Sequence, residues 1–239
     1  DIIDRYSDMS RTALSQIKTV LKSTFDVAIK NDIVDKNYAS LVTLPAKPKS
    51  DMHKPFTPAE IYKLWKLSDT DRNARVLLTC VYTGMRPIQK IKLKDVHIKE
   101  HYMIGGIKTE AGKNRIIPIA DCIMPFIKEW YRKSSFERGE YLMPSDIPKN
   151  LRPALSVYLN RKFDDHRPHD ARHTCATLLI HIGVAESTVK TILGHRHSDV
   201  TNQVYVHRDA TVLVDAVNKL PSRDELLRDE FQALTYARG

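Results

Sequence analysis

Pro168-His169-Asp170-Ala171-Arg172-His173-Thr174 opens the chain's clearest helical stretch. From His169 the helical pattern runs on to Ile182, where Gly183 supplies the stop. His169 and Arg172 stand three positions apart, so such a helix presents both from one face. Downstream a shorter helix reaches Leu193 and ends at Gly194, which leaves His195 projecting from an element end. Arg196 and His197 beside it add local positive potential. Ser198 caps a brief helix that carries Tyr205. On that helix Val200 and Val204 form an i,i+4 apolar pair facing the core, whereas Tyr205 stacks over Thr201 and Asn202 on a polar face. A purely structural tyrosine would share the valine stripe.

Upstream of this region the pattern changes. A helix through Arg75 to Tyr82 stops at Gly84 and leaves Arg86 at a junction, and Pro87 then begins another helix through Leu93. Val96 and Ile98, then Tyr102, Ile104 and Ile107, then Ile116, Ile117 and Ile119 alternate between Gly punctuation, which predicts a small antiparallel meander near residues 95–119. Lys108-Thr109-Glu110-Ala111-Gly112-Lys113 forms the turn between its last two strands. Lys108 starts that turn and can reach toward a bound backbone, with Lys113 and Arg115 as competing candidates on the far side. Further helices are expected near 121–133, 149–162, 211–219 and 223–236. The fold class is mainly α with a small antiparallel β-meander, α+β.

Toward the N-terminus, Leu14, Ile17, Val20, Leu21, Phe25 and Ala28 mark one face of a helix over 11–31, and a second short helix includes Tyr38 to Val42. Leu44 to Pro55 holds three prolines and three lysines without apolar periodicity, the composition of a linker. It leads into Thr57-Pro58-Ala59-Glu60, in which Thr57 is an N-cap, Pro58 the first helical residue and Glu60 the capping-box partner. The expected organisation is a helical unit over 1–44, a linker over 45–55, and a second domain over 56–239 ending in a helical tail.

The bulk numbers bound the function. A chain of 239 residues with 42% hydrophobic content buries a real core. Its 38 Lys plus Arg against 29 Asp plus Glu leave a formal charge of +9, which suits a polyanionic partner and salt-dependent binding. Cys80, Cys122 and Cys175 are far apart and lack CxxC spacing, so neither a disulfide framework nor a thiolate metal site is indicated. The longest apolar stretch, around Val76 to Val81, is far too short to cross a bilayer. A reducing, cytoplasmic setting is the expectation, and the charged start without an initiator Met suggests a piece of a longer protein.

Two arginines, several histidines and a late tyrosine can act together on one phosphodiester. Guanidinium forks grip non-bridging oxygens, imidazoles move protons and donate hydrogen bonds, and a phenolic oxygen attacks phosphorus. A zinc site built on His169 and His173 at i and i+4 is the rival. Asp170 replaces the longer Glu that such a helix uses, and Arg172 would crowd a dication.

Taken together, Thr83-Gly84-Met85-Arg86, Gly106-Ile107-Lys108-Thr109 with Ile117-Pro118, His169 to Thr174, Leu193-Gly194-His195 and Val204-Tyr205 resemble the tyrosine recombinase, or phage integrase, family. The resemblance spans residues 56–210, residues 11–50 look like the later helices of that family's core-binding domain, and the linker resembles those of conjugative-transposon integrases. It implies an enzyme that cuts and rejoins double-stranded DNA without metal or cofactor. Arg86 and Arg172 would clamp the phosphate, Lys108 would be the hairpin lysine, His169 and His195 the two catalytic histidines, and Tyr205 the nucleophile. It also implies a tetramer on DNA, in which the last helix packs on a neighbouring subunit. One departure is Gln89, where the family often has an acidic residue. An inactive DNA-binding relative and a type IB topoisomerase are the alternative readings.

Overall fold

The computed structural model describes residues 5–46, 53–86, 90–106, 115–148, 150–195 and 210–227. The chain folds as two compact units, Asp1–Met52 and His53–Gly239. Lys108, Lys113, Arg196, Tyr205, Gln89, the brief helix predicted around Tyr205 and the part of the expected 223–236 helix beyond residue 227 lie outside the described residues, and the described start of that helix is a 3-10 turn, Glu225–Leu227.

In the first unit, α1 (Arg11–Lys30) is capped by Ser10, whose hydroxyl accepts from the Ala13 amide. The short α2 (Tyr38–Leu41) folds back on α1. Asn37 fixes that return: its side-chain amide donates to the Lys22 carbonyl and to Asp26, while its oxygen accepts from the Ser40 amide. Lys18 closes the unit by donating to the Val42 carbonyl at 2.6 Å.

The second unit begins with α3 (Pro58–Leu67), and both halves of the Thr57–Glu60 capping box are formed. Helix α4 (Arg72–Thr83) follows and is almost wholly buried. Strands β1 (Val96–His97), β2 (Tyr102–Gly105) and β3 (Arg115–Pro118) make an antiparallel meander in the order β1-β2-β3, with Met103 opposite Val96 and Ile117. Helices α5 (Met124–Phe136), α6 (Leu151–Lys162), α7 (Asp170–His181), α8 (Glu186–Leu193) and α9 (Ala210–Asn218) complete the described fold. One apolar core gathers Leu77, Val81, Met103, Ile117, Ile127, Leu155, Cys175, Leu179, Ile192 and Val217, and so draws together α4 to α9 and the sheet. Within it Trp65 donates to the Tyr82 hydroxyl at 3.1 Å, and Tyr82 donates to the Pro221 carbonyl.

The expected helix through Leu93 is not present over residues 90–92. Lys92 instead pairs antiparallel with Tyr141, the Leu142 amide donates to the Ile91 carbonyl, and the Leu93 amide donates to the Glu140 carbonyl. Long-range pairing has overridden local propensity, and only the three residues Leu93–Asp95 keep a 3-10 turn.

Gly84 is where this architecture produces the site. It ends α4 with a left-handed φ of +63°, and a Cβ there would lie 3.1 Å from Leu193 Cδ2 and 3.3 Å from Cys175 Sγ and Ile192 Cγ2. The end of α4, the side of α7 and the end of α8 therefore touch at a residue with no side chain. Gly84→Ala is expected to destabilise the chain by about 2 kcal/mol or more, since left-handed backbone strain and overpacking add. The midpoint of urea unfolding measures this, and an unchanged midpoint would contradict the close approach.

Candidate active site

Three elements deliver the predicted residues to one place. Arg86 follows the Gly84 stop, with Met85 buried beside it as an anchor. Arg172 lies one turn into α7, and His169 sits at that helix's N-cap position. His195 follows Gly194, whose left-handed φ of +65° ends α8. The sequence-predicted set Arg86, His169, Arg172 and His195 is thus brought together.

Arg172 is held by backbone rather than by carboxylates. It is 3% exposed, and its Nη1 donates to the Gly84 carbonyl at 2.6 Å. Its Nη2 donates to the Leu193 carbonyl and faces His195 Nε2 at 3.2 Å. A guanidinium only donates, so His195 Nε2 accepts here and the ring carries its proton on Nδ1. These carbonyls come from the last residues of α4 and α8, where helix ends carry unsatisfied acceptors and partial negative charge. Cations belong at such ends.

Arg115, one of the cations that the sequence offers for contact with DNA, is buried beside Arg172 and Arg86. It is 8% exposed, its Nη1 donates to the Ile192 carbonyl, and its Nη2 is buried without a partner among the described residues. A Cβ on Gly194 would come within 2.6 Å of Arg115 Cδ, so the glycine lets the chain close over this arginine. Arg115 and Arg172 grip successive carbonyls at the end of α8, and between them they fix the turn that presents His195.

The electrostatics are those of an unneutralised cluster. Burial first, then the charges of Arg172 and Arg86, push Arg115 down to about 9. Burial and Arg86 push Arg172 down to about 10. Both remain charged at neutral pH. His169 falls to about 4 through burial and the neighbouring His173, Arg172, His53 and Arg86. His195 is lowered by burial and by Arg172, Arg86 and Arg115. Both imidazoles are therefore neutral at pH 7, and His169 is free to accept a proton.

Sequence reasoning missed the residues that brace α7 from behind. Asp170 is 1% exposed and accepts from His53 Nδ1 at 3.1 Å, from His166 Nδ1 at 3.3 Å and from the Arg167 amide at 2.8 Å. His166 Nε2 reaches Glu60 at 3.1 Å, so its ring bridges two carboxylates, and its face stacks on Phe56 at 4.0 Å. Burial pushes the Glu60 carboxyl up, but bonds from Thr57 and His166 outweigh it and hold that carboxyl below its ordinary value. The Phe56 amide donates to Thr174 Oγ1. Thr57 and Glu60 carry a visible capping signature, yet nothing in the sequence pattern marks the same Glu60 as a partner of His166.

The thiols of Cys80 and Cys175 are buried, and burial pushes each up to about 12. Both are therefore core residues in the protonated form.

Residues 54–211 match the model of the phage integrase family. Tyrosine recombinase XerA of Pyrococcus horikoshii is 27% identical over 237 residues, which cover 90% of this chain and 81% of that one. The integrase of Escherichia phage P2 is 29% identical over 167 residues, covering 70% of this chain and 47% of the phage protein. The Tn1549 transposon integrase in complex with transposon right end DNA shares the fold with a TM-score of 0.57 at 19% identity, covering 88% of this chain and 79% of that one. So does a lambda integrase tetramer bound to a Holliday junction, with a TM-score of 0.60 at 18% identity over 83% of this chain and 63% of that one. Among the described residues no helix is long and apolar enough to cross a membrane. The motifs in register, the convergence of their residues and the matched span lead to one assignment: this chain belongs to the phage integrase family, the tyrosine recombinases.

Proposed function

We propose that the chain is a site-specific DNA recombinase that cuts and rejoins double-stranded DNA through a 3′-phosphotyrosyl intermediate, integrating or excising a mobile element. The observation that carries this reading is the cluster of Arg86 with the buried Arg115 and Arg172, which repel one another and which no described carboxylate neutralises. Collecting like charges in a low-dielectric pocket is costly unless an anion is to occupy it. A scissile phosphate is the anion that these motifs suit.

The reaction follows from the roles. Tyr205 supplies the attacking oxygen, and neutral His169 takes its proton. Negative charge builds on the phosphate oxygens as the new bond forms, and Arg86, Arg172 and His195 meet it with donors already in place. Lys108 protonates the departing 5′ oxygen. The phosphotyrosyl ester keeps the energy of the broken link for rejoining, with a 5′ hydroxyl as the attacking group on the return step.

Residues 1–44 are read as part of the core-binding domain, and the lysines of the linker over 45–55 as contacts along the backbone of the duplex. Lys113 and Arg196 are assigned to the same contacts. Four chains would assemble on DNA, with the C-terminal segment beyond Leu227 packing on a neighbouring subunit. The test is a duplex nicked near the cut site and carrying the junction sequences of the encoding element, incubated with the chain and a chelator. A protein–DNA adduct stable to detergent is expected. Binding without any adduct would instead mark a DNA-binding relative, and, with a closed supercoiled plasmid as a second substrate, relaxation without strand exchange would mark a topoisomerase.

A further inference from the structure

His53 belongs to none of the motifs that define the site, yet it is built into it. It is the first residue of the second unit. Its Nδ1 lies 3.1 Å from Asp170 Oδ1, and the other oxygen of that carboxylate serves His166 and Arg167. Its ring lies flat against His173, with centroids 4.1 Å apart and planes at 16°. His169 is 5.2 Å away, and the His169 and His173 rings meet edge-on at 5.0 Å. The His53 side chain is 33% exposed while Asp170 is 1% exposed, so the imidazole forms the outer wall over a buried anchor.

A proton acceptor needs a fixed orientation and a controlled charge. Neither comes from α7 alone, because His169 stands at the N-cap position with only the turn of helix behind it. The groups that bear on its ring are His173 and Arg172 from its own helix, Arg86 from the junction after α4, and His53 from the entry segment. Asp170 is the nearby carboxylate, and it is committed to His53, His166 and Arg167. We propose that His53 is a positioning residue for His169: anchored on Asp170, it pins the His173 and His169 rings in place and covers them from water, so that His169 stays neutral and aimed. This rests on the reading of His169 as the proton acceptor in strand cleavage.

Two effects of His53 act in the same direction. Covering His169 disfavours its charged form, and the neighbouring imidazole opposes a second positive charge. Removing either lets His169 protonate at higher pH. The test is carried out on the intact chain with labelled histidines, the His169 signal being assigned from its loss in His169→Gln. In His53→Ala, His169 is expected to titrate about one pH unit higher than in the natural chain. The acid limb of covalent capture on the nicked duplex should move up with it, and capture at pH 7 should slow on the order of tenfold through lost alignment.

His53→Phe keeps a ring against His173 but loses the bond to Asp170, and a smaller upward shift with slowed capture is expected. It also carries the same titration should His53→Ala fail to fold. An unchanged His169 titration in both variants, with the acid limb unmoved, would overturn the proposal and leave His53 a packing residue. A natural chain that forms no adduct at all would instead remove the recombinase reading. The titration of His169 would still decide the role of His53.

Discussion

Tyr205→Phe protein is expected to bind target DNA with near-natural affinity and to form no covalent adduct with it. The substitution deletes one oxygen and leaves an aromatic ring of nearly the same shape. Affinity for duplex DNA comes mainly from cations on the phosphate backbone, and the chain keeps its formal charge of +9. Cleavage has no such reserve. An ordinary tyrosine has a pKa of about 10, so the hydroxyl must be deprotonated as it attacks, and phenylalanine offers nothing to deprotonate. A mobility-shift titration beside a denaturing gel on the nicked duplex separates the two properties. Adduct formed by the Phe variant in natural yield would mean that another residue is the nucleophile.

Arg172→Lys is expected to lower the rate of adduct formation by on the order of 10²–10³ or more while leaving most DNA binding intact. The arginine performs two tasks with one planar group: it donates to the carbonyls of Gly84 and Leu193, and its Nη2 also faces His195 at 3.2 Å. A lysine ammonium is a single point with no fork, so it cannot span both carbonyls and still face a phosphate. One buried carbonyl is left without a donor, which costs about 1–3 kcal/mol of stability. Single-turnover capture kinetics together with a thermal melt measure both losses. A lysine variant that cleaved at the natural rate would show that the carbonyl grip has no part in aligning the cation.

What could be seen in the sequence follows from the range of the interactions involved. The Thr57–Glu60 capping box, the Gly84 and Gly194 stops and the β-meander are local, set by residues a few positions apart, and the structure has them where the sequence predicts. Lys92 reads in the sequence only as part of a helix, because its partner Tyr141 lies far along the chain. Arg115 reads as a surface cation because arginine is seldom buried. Its burial makes sense only once the carbonyl of Ile192, at the end of another helix, is beside it. His53 and Asp170 stand 117 positions apart, and no periodicity connects them. The motif residues were visible as chemistry, while the residues that hold them are visible only as geometry.

The grip on Arg172 also bears on how far such a sequence can drift. Its hydrogen-bond acceptors at Gly84 and Leu193 are main-chain oxygens, which every amino acid possesses. Replacement of neighbouring side chains therefore leaves those anchors chemically intact, so long as the two helix ends keep their places. A cation tethered in this way can be inherited through extensive divergence, since it is the path of the chain, more than the letters along it, that lineages must retain.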